Sequence, residues 1–146
     1  METSELYTLA EEHHHEVISC RLRESPAFSV EDQNGCHIAL SDQLTETEEK
    51  TKLAHELGHC EYGGFYNYHS RFDIRQKAEN KANKWSFIHV LPLTEIYQAL
   101  QSGCRNIYEL ADYFRVEESF MHDALLFYAD QIELDMKSRK GGPPWE

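Results

Sequence analysis

The chain has 146 residues, 40% of them apolar, and a formal net charge of −12. That length suffices for one domain with a real core and no disulfide staples, while the acidic balance repels phosphate backbones and argues against nucleic acid as the main ligand. No apolar run approaches the roughly 18 residues of a membrane span, and the acidic start lacks the basic-then-apolar pattern of a secretory signal, so a soluble, cytoplasmic protein with protein or peptide partners is expected.

In chain order, Leu6, Leu9 and Ala10 stand at helical spacing and predict a first amphipathic helix over residues 3–16. His13, His14 and His15 fall near its end, where the helix dipole favours them; three consecutive side chains splay around a helix, so solvated histidines are expected rather than a metal site. Two β-rich runs follow at 17–22 and 27–30, then Asn34-Gly35 and a third run at 36–40. Asn-Gly between alternating apolar residues signals a hairpin, and a small antiparallel sheet is predicted. Cys20, Cys36, Cys60 and Cys104 lie far apart with no C-x-x-C pair, which predicts reduced, partly buried thiols.

Ser41 or Asp42 is a candidate cap for the next helix, whose body runs from Glu48 through Leu53 to about Cys60 before Gly63-Gly64 ends it. After an aromatic loop at 65–69, a third helix spans 72–90 and stops before Pro92. Short helices are expected at 93–100 and 107–114, and a last one at 118–136. The predicted organisation is α+β: one mainly helical domain over 1–136 with a small antiparallel sheet and a helical C-terminal portion, then a disordered tail over 137–146.

The chemistry is carried by His55-Glu56-Leu57-Gly58-His59, an H-E-x-x-H pattern. Residues four apart on a helix share a face, so both imidazoles can reach one metal ion from adjacent turns. Glu56 then sits beside the clamp, where a carboxylate can serve as general base to a metal-activated water. Gly58 lies mid-helix, where it costs about 1 kcal/mol relative to alanine; close approach of another backbone or of the metal site would account for it.

A catalytic zinc takes three protein ligands and keeps one position open. The metzincin pattern is excluded, because Tyr62 and Phe65 occupy the positions its glycine and third histidine require. Glu79, on the following helix, is the candidate third ligand, with Glu61 and His69 as rivals. Asn83 lies one turn beyond Glu79 on the same face, placed to orient a metal-bound histidine.

Together, His55-Glu56-Leu57-Gly58-His59, Glu79-x-x-Ala82-Asn83, Trp85 and Val90-Leu91-Pro92 resemble the ImmA/IrrE peptidases of bacteria and their mobile elements. Lys81 stands where a second glutamate is usual, and Trp85-Ser86 where Phe-Ala is usual. The resemblance covers roughly residues 6–128. It implies a zincin-like fold with Glu79 as third zinc ligand, and a peptidase that cleaves a specific protein, such as a transcriptional repressor of a phage or mobile element. Residues 107–126 also resemble a helix-turn-helix. Between Arg105 and Asp135, however, Arg105 and Arg115 face eight acidic residues, so a packing role is expected there.

The expected chemistry is zinc-assisted amide hydrolysis, with Glu56 as base and Tyr66, Asn67, Tyr68 or His69 as candidate donors to the oxyanion. Two other readings compete with it. One is a metal-binding regulator that binds a partner repressor without cutting it; the other is a DNA-binding module built on the C-terminal helices.

Overall fold

The computed structural model describes residues 1–62, 71–139 and 141–146. Two compact units divide the chain, Met1–Val90 and Leu91–Glu146. The first carries α1 (Thr3–Glu12), β1 (Glu16–Cys20), β2 (Ala27–Asp32), β3 (Gly35–Ser41), α2 (Glu46–Tyr62) and α3 (Phe72–Val90), and the second α4 (Leu93–Gln101), α5 (Ile107–Phe114) and α6 (Glu118–Ser138). The architecture is α+β and mainly helical. No helix among the described residues is long and apolar enough to cross a membrane.

Helix α1 is shorter than its apolar spacing suggests. His13 is its C-cap, and His14 takes a left-handed φ of 61°. A non-glycine residue enters that region at a cost, and here the turn delivers the chain straight into β1.

The sheet is mixed rather than wholly antiparallel, with strand order β1-β3-β2. The Asn34-Gly35 turn does build the expected hairpin: Asn34 N–H donates to Asp32 Oδ1 at 2.7 Å, Gly35 has φ +121°, and Asp32 pairs with Gly35. β1, however, joins the far edge of β3 in parallel, from Glu16↔His37 to Cys20↔Ser41. Burial explains the order. Cys36, Ile38, Ala39 and Leu40 of β3 are all buried, whereas Ile18, Phe28 and Val30 of the flanking strands are exposed; the most apolar strand takes the middle, where both edges are paired.

On β3 the side chains of Cys36, Ile38 and Leu40 share one face by alternation. α2 packs against β2, β3, α1 and α3, with Leu53, Ala54 and Leu57 inaccessible to solvent. Its N-terminus is capped by Thr45, not by Ser41 or Asp42: Thr45 Oγ1 accepts from Glu48 N–H at 3.3 Å, and Thr45 N–H donates to Glu48 Oε1 at 3.2 Å. This reciprocal capping box satisfies two amides the first turn would otherwise leave open.

The cysteine expectation is corrected. Cys36 and Cys60 form a disulfide between β3 and the last turn of α2, while Cys20 and Cys104 are free. The partners are 24 residues apart, so only the packing of α2 on the sheet brings them together.

At the sheet surface, His37 Nε2 lies 3.0 Å from Asp32 Oδ1 and His37 Nδ1 lies 3.5 Å from Glu16 Oε1. The hydrogen bond with Asp32 raises the His37 pKa above its ordinary 6.5 and lowers that of Asp32 below 3.8.

In the second unit, Asn106 caps α5 by accepting from Glu109 N–H at 2.9 Å, and Arg115 ends it in the left-handed region. Tyr97 O–H donates to Asp135 Oδ2 at 2.6 Å, tying α4 to α6. Leu110, Ala111, Met121 and Ala124 are buried, and the acidic Glu109, Asp112, Glu118, Asp123 and Asp130 face solvent.

Candidate metal centre

Three side chains converge between α2 and α3. His55 Nε2 lies 2.8 Å from Glu79 Oε2, and His59 Nε2 lies 3.2 Å from Glu79 Oε1, so one carboxylate spans both imidazoles. Helical periodicity stacks the two rings one turn apart, with centroids 4.9 Å apart and planes nearly perpendicular. Glu79 comes from the second turn of α3 onward and meets them across the interhelical groove.

The closeness of that groove rests on Gly58 and Ala82. A Cβ built on Gly58 would stand 2.5 Å from Ala82 O and 2.8 Å from Ala82 Cα. The glycine expected to allow a close backbone approach therefore meets the backbone of the next helix at the residue one turn beyond Glu79. Ala82 is itself inaccessible to solvent.

Asn83 completes the geometry. His55 Nδ1 and Asn83 Oδ1 are 2.9 Å apart. With Nδ1–H donating to the amide oxygen, Nε2 keeps its lone pair and faces a carboxylate oxygen rather than a donor. A cation between them satisfies both. The ligand atoms of His55, His59 and Glu79 all lie within 4.8 Å of one another. Donors on a zinc tetrahedron at about 2.0–2.2 Å stand roughly 3.3–3.6 Å apart, so the 3.2 Å pair is close to that spacing and the 2.8 Å pair needs only a small carboxylate rotation. Two imidazoles and a carboxylate thus fit a divalent metal.

Glu56, on the same helix turn, is buried at 8% exposure. The rival ligand Glu61 is engaged elsewhere, with His13 and His15. The rival His69 and the candidate oxyanion donors Tyr66, Asn67 and Tyr68 lie outside the described residues.

A family profile, the IrrE N-terminal-like domain of the peptidase M78 group, matches residues 10–126. The chain belongs to this family. The match runs from the end of α1 into α6 and takes in the whole H-E-x-x-H helix and the Glu79 helix. Membership supports a metallopeptidase-like reading, and the His55, His59 and Glu79 group is compatible with a metal ion. Among solved structures, a Mycobacterium tuberculosis transcriptional regulator is similar, with a TM-score of 0.64 and 16% identity over 82% of this chain. At that identity the likeness concerns the fold, and the chain spans 39% of that regulator's length. No curated protein matches the sequence.

Proposed function

We propose that this M78-family chain is a zinc-dependent metallopeptidase that hydrolyses a peptide bond in a specific protein partner, the family resemblance favouring a transcriptional repressor of a phage or mobile element. The observation that carries the reading is the convergence of His55, His59 and Glu79 on one point. These three residues would hold the metal. When bound, zinc supplies a Lewis acid for the scissile carbonyl and lowers the pKa of water.

The chain's own residues do the rest. Asn83 fixes the His55 ring and its tautomer, so that Nε2 presents a lone pair. Glu56 takes a proton from the attacking water and passes it to the leaving amine. Its burial holds the carboxylate in one place and keeps competing solvent away. The strongly acidic balance of the chain favours a complementary partner over general digestion.

The test is Glu56→Gln. The glutamine keeps shape and hydrogen bonding but cannot take a proton, so zinc content, melting temperature and partner affinity should stay at wild-type values. Cleavage should fall by about 10²–10⁴-fold, or roughly 3–5 kcal/mol of barrier. Wild-type cleavage with zinc intact would remove Glu56 as base. If the wild type binds its partner and yields no new N-terminus, the non-cleaving regulator is the better reading.

A further inference from the structure

A second cluster of metal-ligating side chains gathers at Cys60 and Glu61 of α2, the residues that directly follow His59. The left-handed turn at His14 brings the rings of His13 and His15 to one side, their centroids 6.1 Å apart, against Glu61. His13 Nδ1 and His15 Nε2 both approach Glu61 Oε1, the latter at 3.3 Å. The donor atoms of His15, Cys36 and Cys60 also lie within 4.8 Å of one another. Of the histidines expected to be solvated, His13 and His14 are exposed, whereas the His15 side chain is only 13% exposed.

A disulfide by itself needs no imidazole beside it. The left-handed His14 closes α1 as an ordinary C-terminal turn, with His15 N–H donating to Ala10 O at 2.8 Å and His14 N–H to Glu11 O at 3.1 Å, and that turn sets a mostly buried histidine beside two sulfurs. Two thiolates and an imidazole form a borderline-soft donor set that binds zinc with a fourth position left to water. The Cys36 and Cys60 Cα atoms are 5.7 Å apart. The two sulfurs need move from about 2 Å apart in a disulfide to about 3.8 Å on a shared zinc, which side-chain rotation supplies. The carboxylate of Glu61, against His15 Nε2, would hold that ring in place as the outer partners of metal-bound histidines do.

We propose that His15, Cys36 and Cys60 form a second zinc site, separate from the His55, His59 and Glu79 centre, that opens when the disulfide is reduced. In the disulfide state the sulfurs are spent on each other. A dithiol reductant delivers two electrons and two protons to the Cys36–Cys60 bond, becoming a disulfide itself and leaving two protein thiols. Zinc then takes both sulfurs as thiolates, and the two thiol protons pass to solvent. The last turn of α2 is thereby anchored to the sheet in both states, by a covalent bond or by the metal.

The experiment uses the full, metal-free chain, either oxidised or reduced with a thiol-free phosphine, titrated with cobalt(II). A near-ultraviolet sulfur-to-cobalt charge-transfer band reports thiolate ligation. The His55, His59 and Glu79 centre has no sulfur, so the band is silent to it, and the test stands if the peptidase reading fails. The reduced chain should show the band, saturating by two equivalents because the His55, His59 and Glu79 centre also takes cobalt, and the oxidised chain should not. His15→Ala should weaken cobalt binding at this band by at least about tenfold, since a ligand is lost, while Cys20→Ser/Cys104→Ser should leave it unchanged. No band in the reduced chain, an unchanged affinity in a folded His15→Ala variant, or loss of the band with Cys20 and Cys104 would each overturn the proposal. Should His15→Ala fail to fold, the oxidised and reduced wild-type chains decide the matter between them.

Discussion

Replacing Gly58 by alanine sets two known effects against each other at one atom. In an isolated helix the change is favourable by about 1 kcal/mol, because alanine restricts the unfolded chain and suits the helix better. Here the new methyl would lie 2.5 Å from Ala82 O, 2.8 Å from Ala82 Cα and 3.0 Å from Ala82 C, against ordinary contacts of 3.4 Å and more. All three atoms are backbone, so no side chain can rotate out of the way, and α2 and α3 must part locally by about 1 Å. Overpacking of this kind costs about 1–3 kcal/mol, which leaves a net destabilisation of up to about 2 kcal/mol. The effect on metal is sharper. Ligand distances are tolerated within about 0.2 Å, and Glu79 sits one turn from the displaced residue. Zinc affinity should therefore fall by at least tenfold, and the melting temperature by a few degrees, with far-ultraviolet circular dichroism unchanged. Competition against a chromophoric chelator and thermal melts measure both. A Gly58→Ala protein that melts higher and binds zinc as before would refute the steric argument.

Three further outcomes are expected. Asn83→Ala removes the partner of His55 Nδ1 and should weaken zinc binding by about 10–100-fold without moving the melting temperature appreciably; the same chelator competition checks it. In the metal-free protein, reducing Cys36–Cys60 releases a closure across 24 residues and should cost about 3.5 kcal/mol of stability by the chain-entropy relation, measured by urea unfolding with and without phosphine. The raised His37 pKa means that its contribution is complete below its unfolded value of about 6.5 and fades as pH rises through the folded one; the lowered Asp32 pKa means that its share is present above the unfolded value and is lost as pH falls through the folded one. An NMR titration should therefore find the His37 midpoint above 6.5 and returning toward it in Asp32→Asn.

Much of this was legible because it is local. The Asn34-Gly35 turn, the arrest of α3 before Pro92 and the one-turn spacing of His55 and His59 each depend on residues close in sequence. Gly58 was legible as an anomaly, a helix-weakening residue without a local reason, and the reason proved to be the backbone of Ala82. What escaped was tertiary. That β3 rather than β2 receives β1, that Cys36 meets Cys60, and that His13 and His15 turn together onto Glu61 all depend on how elements pack, and no spacing along the chain encodes them. The cap at Thr45 was local and still missed, since three polar candidates precede α2 and only the pairing with Glu48 selects among them.

The strand order carries a consequence for how the chain assembles. Among the described residues β3 is the last of the three sheet strands in sequence and the middle one in space, so β1 has no partner until Gly35–Ser41 exists. The hairpin of β2 and β3 closes across a two-residue turn, which costs little loop entropy, whereas the parallel pairing of β1 must close a longer loop. Assembly should therefore run backwards along the chain, hairpin first and β1 second, with α2 following directly from the strand that nucleates the sheet. Pulse-labelled hydrogen exchange during refolding should find the amides of β2 and β3 protected before those of Glu16–Cys20; simultaneous protection of all three strands would contradict that order.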